Sequence, residues 1–196
     1  MNVTRRGFLT SAVSSGLLLS QGMQAWSEAF PVDTSAAKKV EYKYQLRSMD
    51  FETPEPAGTI VVDPHYCFLY LVLGGGQAIR YGVAVGKSTH AWSGEATIKK
   101  MVEWPTWTPA PYHIAVKPEL AKWLPGGMPG GPDNPLGARA MYLFKGNVDT
   151  INRIHGSAKV GDIGRTATAG CIGMLNVHIV DLYSRVQVGT RVVMLA

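Results

Sequence analysis

The amino-acid sequence predicts a mainly β fold with short helices, and three observations carry that prediction. The apolar runs "TIVVD", "YCFLYLVL" and "AIRYGVAVG" follow one another between Thr59 and Gly86, with Asp63-Pro64 and Gly74-Gly75-Gly76 in the gaps, a pattern of short strands joined by turns. "EATIKKMVEW" continues it, with Ile98 and Val102 apolar in a mostly polar run. Helical spacing appears only in the brief stretches "KPELAKWL" and "VHIVDLYSRV". A chain of 196 residues with 46% hydrophobic and 17% charged residues suits one globular domain.

The elements follow in order. Residues 1–29 read as an export signal: Arg5 and Arg6 precede an apolar run too short to span a bilayer. "TRRGFLT" resembles the twin-arginine consensus, with an ordinary Sec signal as the alternative. Ser27 and Ala29 form the expected cleavage site, and Ala25 is the runner-up. Residues 30–57 are mixed, charged and rich in proline near "ETPEPAG", a linker or an arm lying on the domain.

From Gly58 onward the domain proper begins. The three runs above are strands, the last two forming a hairpin across the glycines. Because sequential strands separated by turns pair with each other, a mainly antiparallel sheet is expected. After "EATIKKMVEW" comes a loop-rich stretch, residues 104–137, broken by prolines and glycines. Within it, "KPELAKWL" has Pro118 at a favoured first-turn position, and Leu120, Trp123 and Leu124 can share one helical face. Trp104, Trp107 and Tyr112 in the same stretch are candidates for the floor of a binding groove, or for core filling beneath a long loop. "ARAMYLF" and "DTINRIHG" are strands, Asn176 is placed to cap the helix "VHIVDLYSRV", and "RVVMLA" is a final strand.

Charge and motifs narrow the function classes. A net charge of +5 is mildly basic without any clustered Lys/Arg run, so a nucleic-acid footprint is missing and an anionic envelope polymer is the better partner. His65, His90, His113, His155 and His178 are scattered and no CxxC or HExxH occurs, so no metal site is expected. The triple glycine lacks the lysine and spacing of a phosphate loop. Glu119 and Asp181 are single carboxylates that form no glycosidase pair.

Two cysteines in an exported chain ordinarily suggest a disulfide. Here their settings differ: Cys67 lies in an apolar strand-like run, whereas Cys171 follows Gly170 in "HGSAKVGDIGRTATAGCIGMLN". A free thiol is only ~3% ionised at neutral pH, so a nucleophile needs a nearby imidazole, and His155 is the candidate. Acyl transfer also needs donors where the carbonyl oxygen turns negative, and amides of the tight turn Thr168-Ala169-Gly170-Cys171 can converge there. The residues by themselves point to a cysteine acyltransferase or hydrolase.

"IHGS", "DIGRTATAGCIGMLN", "DLY" and "VGTRVVML", with the earlier "IVVD", "YGVAVGK", "SGEATI", "WPTWTP" and "GGPDNPLGARAMYL", resemble in order the segments of the L,D-transpeptidase (YkuD-like) catalytic domain, across residues 58–196. The resemblance implies that family's β-sandwich-type fold and chemistry on peptidoglycan stem peptides, both donor and acceptor. Cys171 is then the nucleophile and His155 the general base and acid. Gly156 holds the imidazole, Gly170 with Cys171 offers oxyanion amides, and Thr168 matches the family's Ser/Thr. No cofactor is implied; the expected location is the periplasm, as a monomer with no membrane anchor once the signal is removed. Carboxypeptidase action, attachment of envelope proteins and a non-catalytic peptidoglycan-binding domain are the alternatives. Ala169 stands where the family usually has histidine, Gly173 where it has arginine and His178 where aspartate is common. An altered substrate choice, and a linkage other than the common 3-3 cross-link, is therefore expected.

Overall fold

The computed structural model describes residues 28–87, 92–157 and 159–196. The export segment up to Ser27, including the runner-up cleavage site Ala25, lies outside the described residues, as does His90. A four-residue helix α1 (Ala36–Lys39) precedes strands β1 (Arg47–Asp50), β2 (Ile60–Asp63), β3 (Phe68–Gly74), β4 (Gln77–Gly82), β5 (Val85–Gly86) and β6 (Gly94–Glu103). Helix α2 (Pro111–Val116) and a 3-10 helix over Pro118–Trp123 follow. The chain closes with β7 (Arg139–Lys145), β8 (Val148–Ser157), β9 (Thr166–Thr168), β10 (Ile172–Leu175), helix α3 (Asn176–Arg185) and β11 (Arg191–Met194).

Nine strands form one sheet in the order β1-β4-β3-β2-β11-β6-β7-β8-β10, while β5 and β9 pair separately. Within the nine-stranded sheet the pairing is antiparallel except where β11 meets β2 and β10 meets β8, and the separate β5–β9 pair is parallel. The sheet curls until its far edge returns: Ala84, just past β4, exchanges backbone hydrogen bonds of 2.8 and 2.9 Å with Gly173 in β10. Ile60, Leu69, Ile98, Leu143, Ile154 and Ile172 face the enclosed core and are fully buried. At roughly 2 kcal/mol for each large aliphatic side chain taken from water, this face stabilises the curl. Helix α3 adds Ile179 and Leu182 to the same core. Among the described residues no helix is long and apolar enough to cross a membrane.

Several expectations change in detail. The segment 30–57 is an arm with a strand of its own: β1 pairs along β4, and Phe51 stacks on Tyr70 at 4.2 Å to cover the outer face of β3. Cys67 sits in the turn before β3, at φ 58°, and not within the strand-like run expected for it; both thiols are free. "KPELAKWL" folds as the 3-10 helix, with Leu124 exposed and followed by a cis bond to Pro125. Asn176 is not the cap of α3, which begins after Leu175; its Oδ1 accepts the Ala138 N–H instead, 38 residues away in sequence. His178, in place of a common aspartate, is buried edge-on against Tyr81, and burial lowers its basicity.

Candidate functional site

A cavity of about 1040 Å³ opens beside the end of the β8–β10 pair. One wall carries His155, Thr168 and Cys171, and the other carries Trp107, Tyr112 and His113.

Strand register explains how the thiol and the imidazole come together. In the parallel pair, Ile154 stands opposite Ile172 and His155 opposite Gly173. Side chains alternate across a strand. With both isoleucines turned into the core, His155, Arg153 and the preceding Cys171 share the other face. Two residues 16 apart in sequence thus meet on neighbouring strands, offset by two positions. Among the described residues no hydrogen bond links the ring directly to the thiol.

The imidazole is oriented by its own strand. His155 Nδ1 lies 2.6 Å from the Gly156 carbonyl oxygen; a carbonyl only accepts, so Nδ1 carries the proton and Nε2 is left as the basic nitrogen. Burial pushes His155 below its ordinary value, opposed by the Gly156 bond and reinforced by the Arg153 charge. Burial likewise pushes the Cys171 thiol up, against the pull of the Arg153 backbone and guanidinium. At neutral pH the two groups therefore rest as thiol and neutral imidazole. A Cys171 nucleophile here would need its thiolate formed by proton transfer, not held as a resting ion pair.

Gly156 is required sterically. A Cβ there would lie 2.2 Å from Asn176 Oδ1 and 3.0 Å from Ala138 N. The same Oδ1 fills the space where Gly137 would carry its Cβ. Asn176 thus clamps the segment before β7 against β8, directly behind the carbonyl that holds His155.

The turn before β10 is stapled by Thr168, whose Oγ1 donates to the Cys171 carbonyl at 2.5 Å and accepts a long bond of 3.3 Å from the Gly170 N–H. Gly170 adopts φ 149°, a region closed to most side chains. The back of the turn rests on Gly86 of β5, where a Cβ would lie 2.5 Å from Gly170 Cα and 2.8 Å from Gly170 N. Backbone cannot yield as a flexible side chain does, so Gly86→Ala is expected to displace the turn. On the acyl-transfer expectation, peptide turnover should fall more than about tenfold while the far-ultraviolet dichroism of the sheet persists; unchanged turnover would show that the turn tolerates the shift.

The three aromatic candidates separate. Trp107 lines the cavity and pairs in backbone with Met128, and Tyr112 lines it with its ring half exposed. Trp104 is outside the wall: its Nε1 donates to Glu28 Oε2 at 3.0 Å, and Phe30 packs edge-on at 5.0 Å. Glu28 also forms a two-pronged pair with the nearly buried Arg139, at 2.5 and 3.1 Å. Ala169 and Gly173 bring no side chain capable of recognition, and a Cβ at Gly173 would make only ordinary contact with Ala84 and Thr168.

Sequence reasoning gave no role to Gly86, Asn134 or His113. Buried Asn134 directs Nδ2 at the carbonyls of Pro105, Met128 and Pro129 and accepts from the Leu136 N–H, tying the loop 126–136 to the cavity wall. Its signal was "GGPDNPLG", and that of Gly86 was "YGVAVGK". Among the described residues no three of His, Cys, Asp and Glu gather to hold a metal ion.

Residues 57–194 match the L,D-transpeptidase catalytic domain family, YkuD. A Fuscovulum blasticum protein described as "Putative L,D-transpeptidase in ATP synthase subunits region ORF 5" is 42% identical over 99 residues, half of this chain and 48% of that protein. The chain thus spans about half the length of that curated relative. A structure from Brucella melitensis, described as a probable carnitine operon oxidoreductase, is 45% identical with TM-score 0.54, over 83% of this chain and 99% of that one. The L,D-transpeptidase from Mycobacterium smegmatis shares the fold at TM-score 0.52 and 17% identity, over 86% and 88% of the two chains.

Proposed function

Given that this chain belongs to the L,D-transpeptidase catalytic domain family, we propose that it is a peptidoglycan L,D-transpeptidase working through a cysteinyl acyl-enzyme at Cys171. The observation that carries the reading is the shared face of β8 and β10, with the thiol and an imidazole of fixed tautomer opening into one cavity.

The chemistry follows from the groups present. As Cys171 Sγ bonds to the carbonyl carbon of the third residue of a donor stem, its proton passes to His155 Nε2. The carbonyl oxygen becomes negative facing the amides of Gly170 and Cys171, where each well-placed donor lowers the barrier by ~3 kcal/mol. Gly170 reaches it by exchanging its long bond to Thr168. Collapse breaks the bond to the terminal D-alanine, whose amine leaves with the proton from His155. An acceptor amine then attacks the thioester, losing its proton to His155, and the sulfur departs and is reprotonated. Lacking the arginine and histidine usual at 173 and 169, the site selects its stems by other contacts, which favours a non-standard linkage.

The same reading puts the protein in the periplasm. Cleavage after Ala29 would remove Glu28 from the buried Arg139, whereas cleavage after Ala25 retains the pair; the latter is the site proposed here. Without Glu28 the buried Arg139 would exchange a two-pronged partner for the more distant Glu103 at 3.6 Å, a weaker pairing for a buried cation.

The test is to incubate wild type and Cys171→Ala with isolated sacculi and weigh the released muropeptides. Cross-linked dimers, or stems shortened by D-alanine, are expected with wild type alone. Shortened stems without dimers would identify a carboxypeptidase, and matching profiles from both proteins would leave a binding domain as the account.

A further inference from the structure

The second imidazole of the cavity has a tautomer opposite to that of the first. His113 occupies the third position of α2, and its Nδ1 accepts the Ala110 N–H at 3.0 Å, satisfying one of the amides a helix start leaves without an intrahelical partner. A backbone N–H only donates, so Nδ1 is bare and the proton resides on Nε2. Burial lowers the basicity of His113, which keeps the ring neutral. Trp107 packs edge-on against it at 5.1 Å and Tyr112 lies over it at 3.9 Å, so the ring is fixed between two aromatic walls of the cavity. Among the described residues Nε2 has no protein acceptor.

The wall bearing His113 faces the chemistry. Tyr112 and His113 line the same cavity as Cys171 and His155, and burial pushes the Tyr112 phenol up. Across the cavity Ala169 presents only a methyl, and the Thr168 hydroxyl beside it is engaged by the Cys171 carbonyl and the Gly170 N–H.

We propose that His113 is a substrate-binding donor: its neutral Nε2–H hydrogen-bonds a carbonyl oxygen of the peptide that acylates Cys171, and so holds that peptide in the cavity. His155, with Nε2 bare, moves the proton; His113, with Nε2 protonated, fixes an oxygen. A neutral imidazole suits that task because it polarises a carbonyl without giving up its proton. The proposal rests on the transpeptidase reading above, since it presumes a peptide acyl donor.

The test compares His113→Gln and His113→Phe with wild type in three measurements: kcat/KM for a stem tetrapeptide donor, the rate of Cys171 alkylation by iodoacetamide, and the melting temperature. Glutamine at the third helical position can still reach back to the Ala110 N–H and keeps an N–H to offer. Phenylalanine keeps the ring contacts and loses both nitrogens. We expect kcat/KM to fall about tenfold in His113→Phe, as for one neutral hydrogen bond, and to return within about threefold of wild type in His113→Gln. Alkylation should stay within twofold in both. Full kcat/KM in His113→Phe would overturn the proposal, as would equal losses in both variants or alkylation falling in step with turnover. A wild type that is alkylated but turns over no stem peptide would overturn the transpeptidase reading itself, and this donor role with it.

Discussion

Replacing His155 with glutamine is expected to lower kcat/KM by about 10²- to 10⁴-fold, the span that a positioned general base contributes. Cys171 and the turn that carries it are left in place. The reasoning starts from the resting state. Burial holds the thiol above its ordinary value and the imidazole below it, so on the proposed mechanism no thiolate awaits the substrate and the Nε2 lone pair of His155 removes the proton. The pH profile carries the same information with a defined sign. His155 must be neutral to act, and its folded value is depressed. Wild-type kcat/KM should therefore hold through the ordinary imidazole range and fall only as pH drops below about 6.5. In His155→Gln that acid limb should vanish, and residual activity should climb on the alkaline side as the elevated thiol ionises. A variant that kept both the wild-type rate and its acid limb would remove His155 from the mechanism.

How much of this was readable in advance depends on the range of the interactions involved. Strands β2, β3, β4, β6 and β7 announce themselves because each buries its alternate side chains, or both faces as β2 does, and burial writes a period into the sequence, whereas β8 does so only towards its end, at Ile154 and Gly156. The Cys171–His155 pairing was legible through glycine neighbours and a family resemblance. Strand β1, "RSMD", was not, because an edge strand half open to water carries no apolar period. The parallel β8–β10 junction also escaped notice, since it is made by a crossover and no local turn marks it. Asn176 misled for a similar reason. Locally an asparagine before a helical run satisfies every cap rule, and only the distant arrival of Ala138 and Gly156 redirects its oxygen. His113 gave no signal at all, because its tautomer is set by a backbone amide three residues back.

That long-range clamp makes Gly156→Ala a damaging substitution for stability and activity together. The added methyl would lie 2.2 Å from Asn176 Oδ1, 3.0 Å from Ala138 N and 3.2 Å from Gly137 Cα. The two backbone contacts cannot rotate away, so either Asn176 swings out or β8 moves. If Asn176 swings out, the Ala138 N–H is left unsatisfied, at ~1–3 kcal/mol, and overpacking adds a similar amount. In a domain of this size that corresponds to a fall in melting temperature of roughly 5–15 °C. Activity should suffer further, because the Gly156 carbonyl that orients His155 belongs to the displaced residue. Removing the oxygen isolates its share: in the double variant Gly156→Ala/Asn176→Ala the worst contact is gone. The combined loss of stability should then be smaller than the sum of the single losses, as expected for residues in direct contact. Strict additivity of the two substitutions, or a Gly156→Ala protein that melts and turns over like wild type, would mean that β8 is not held against Asn176 in the way described.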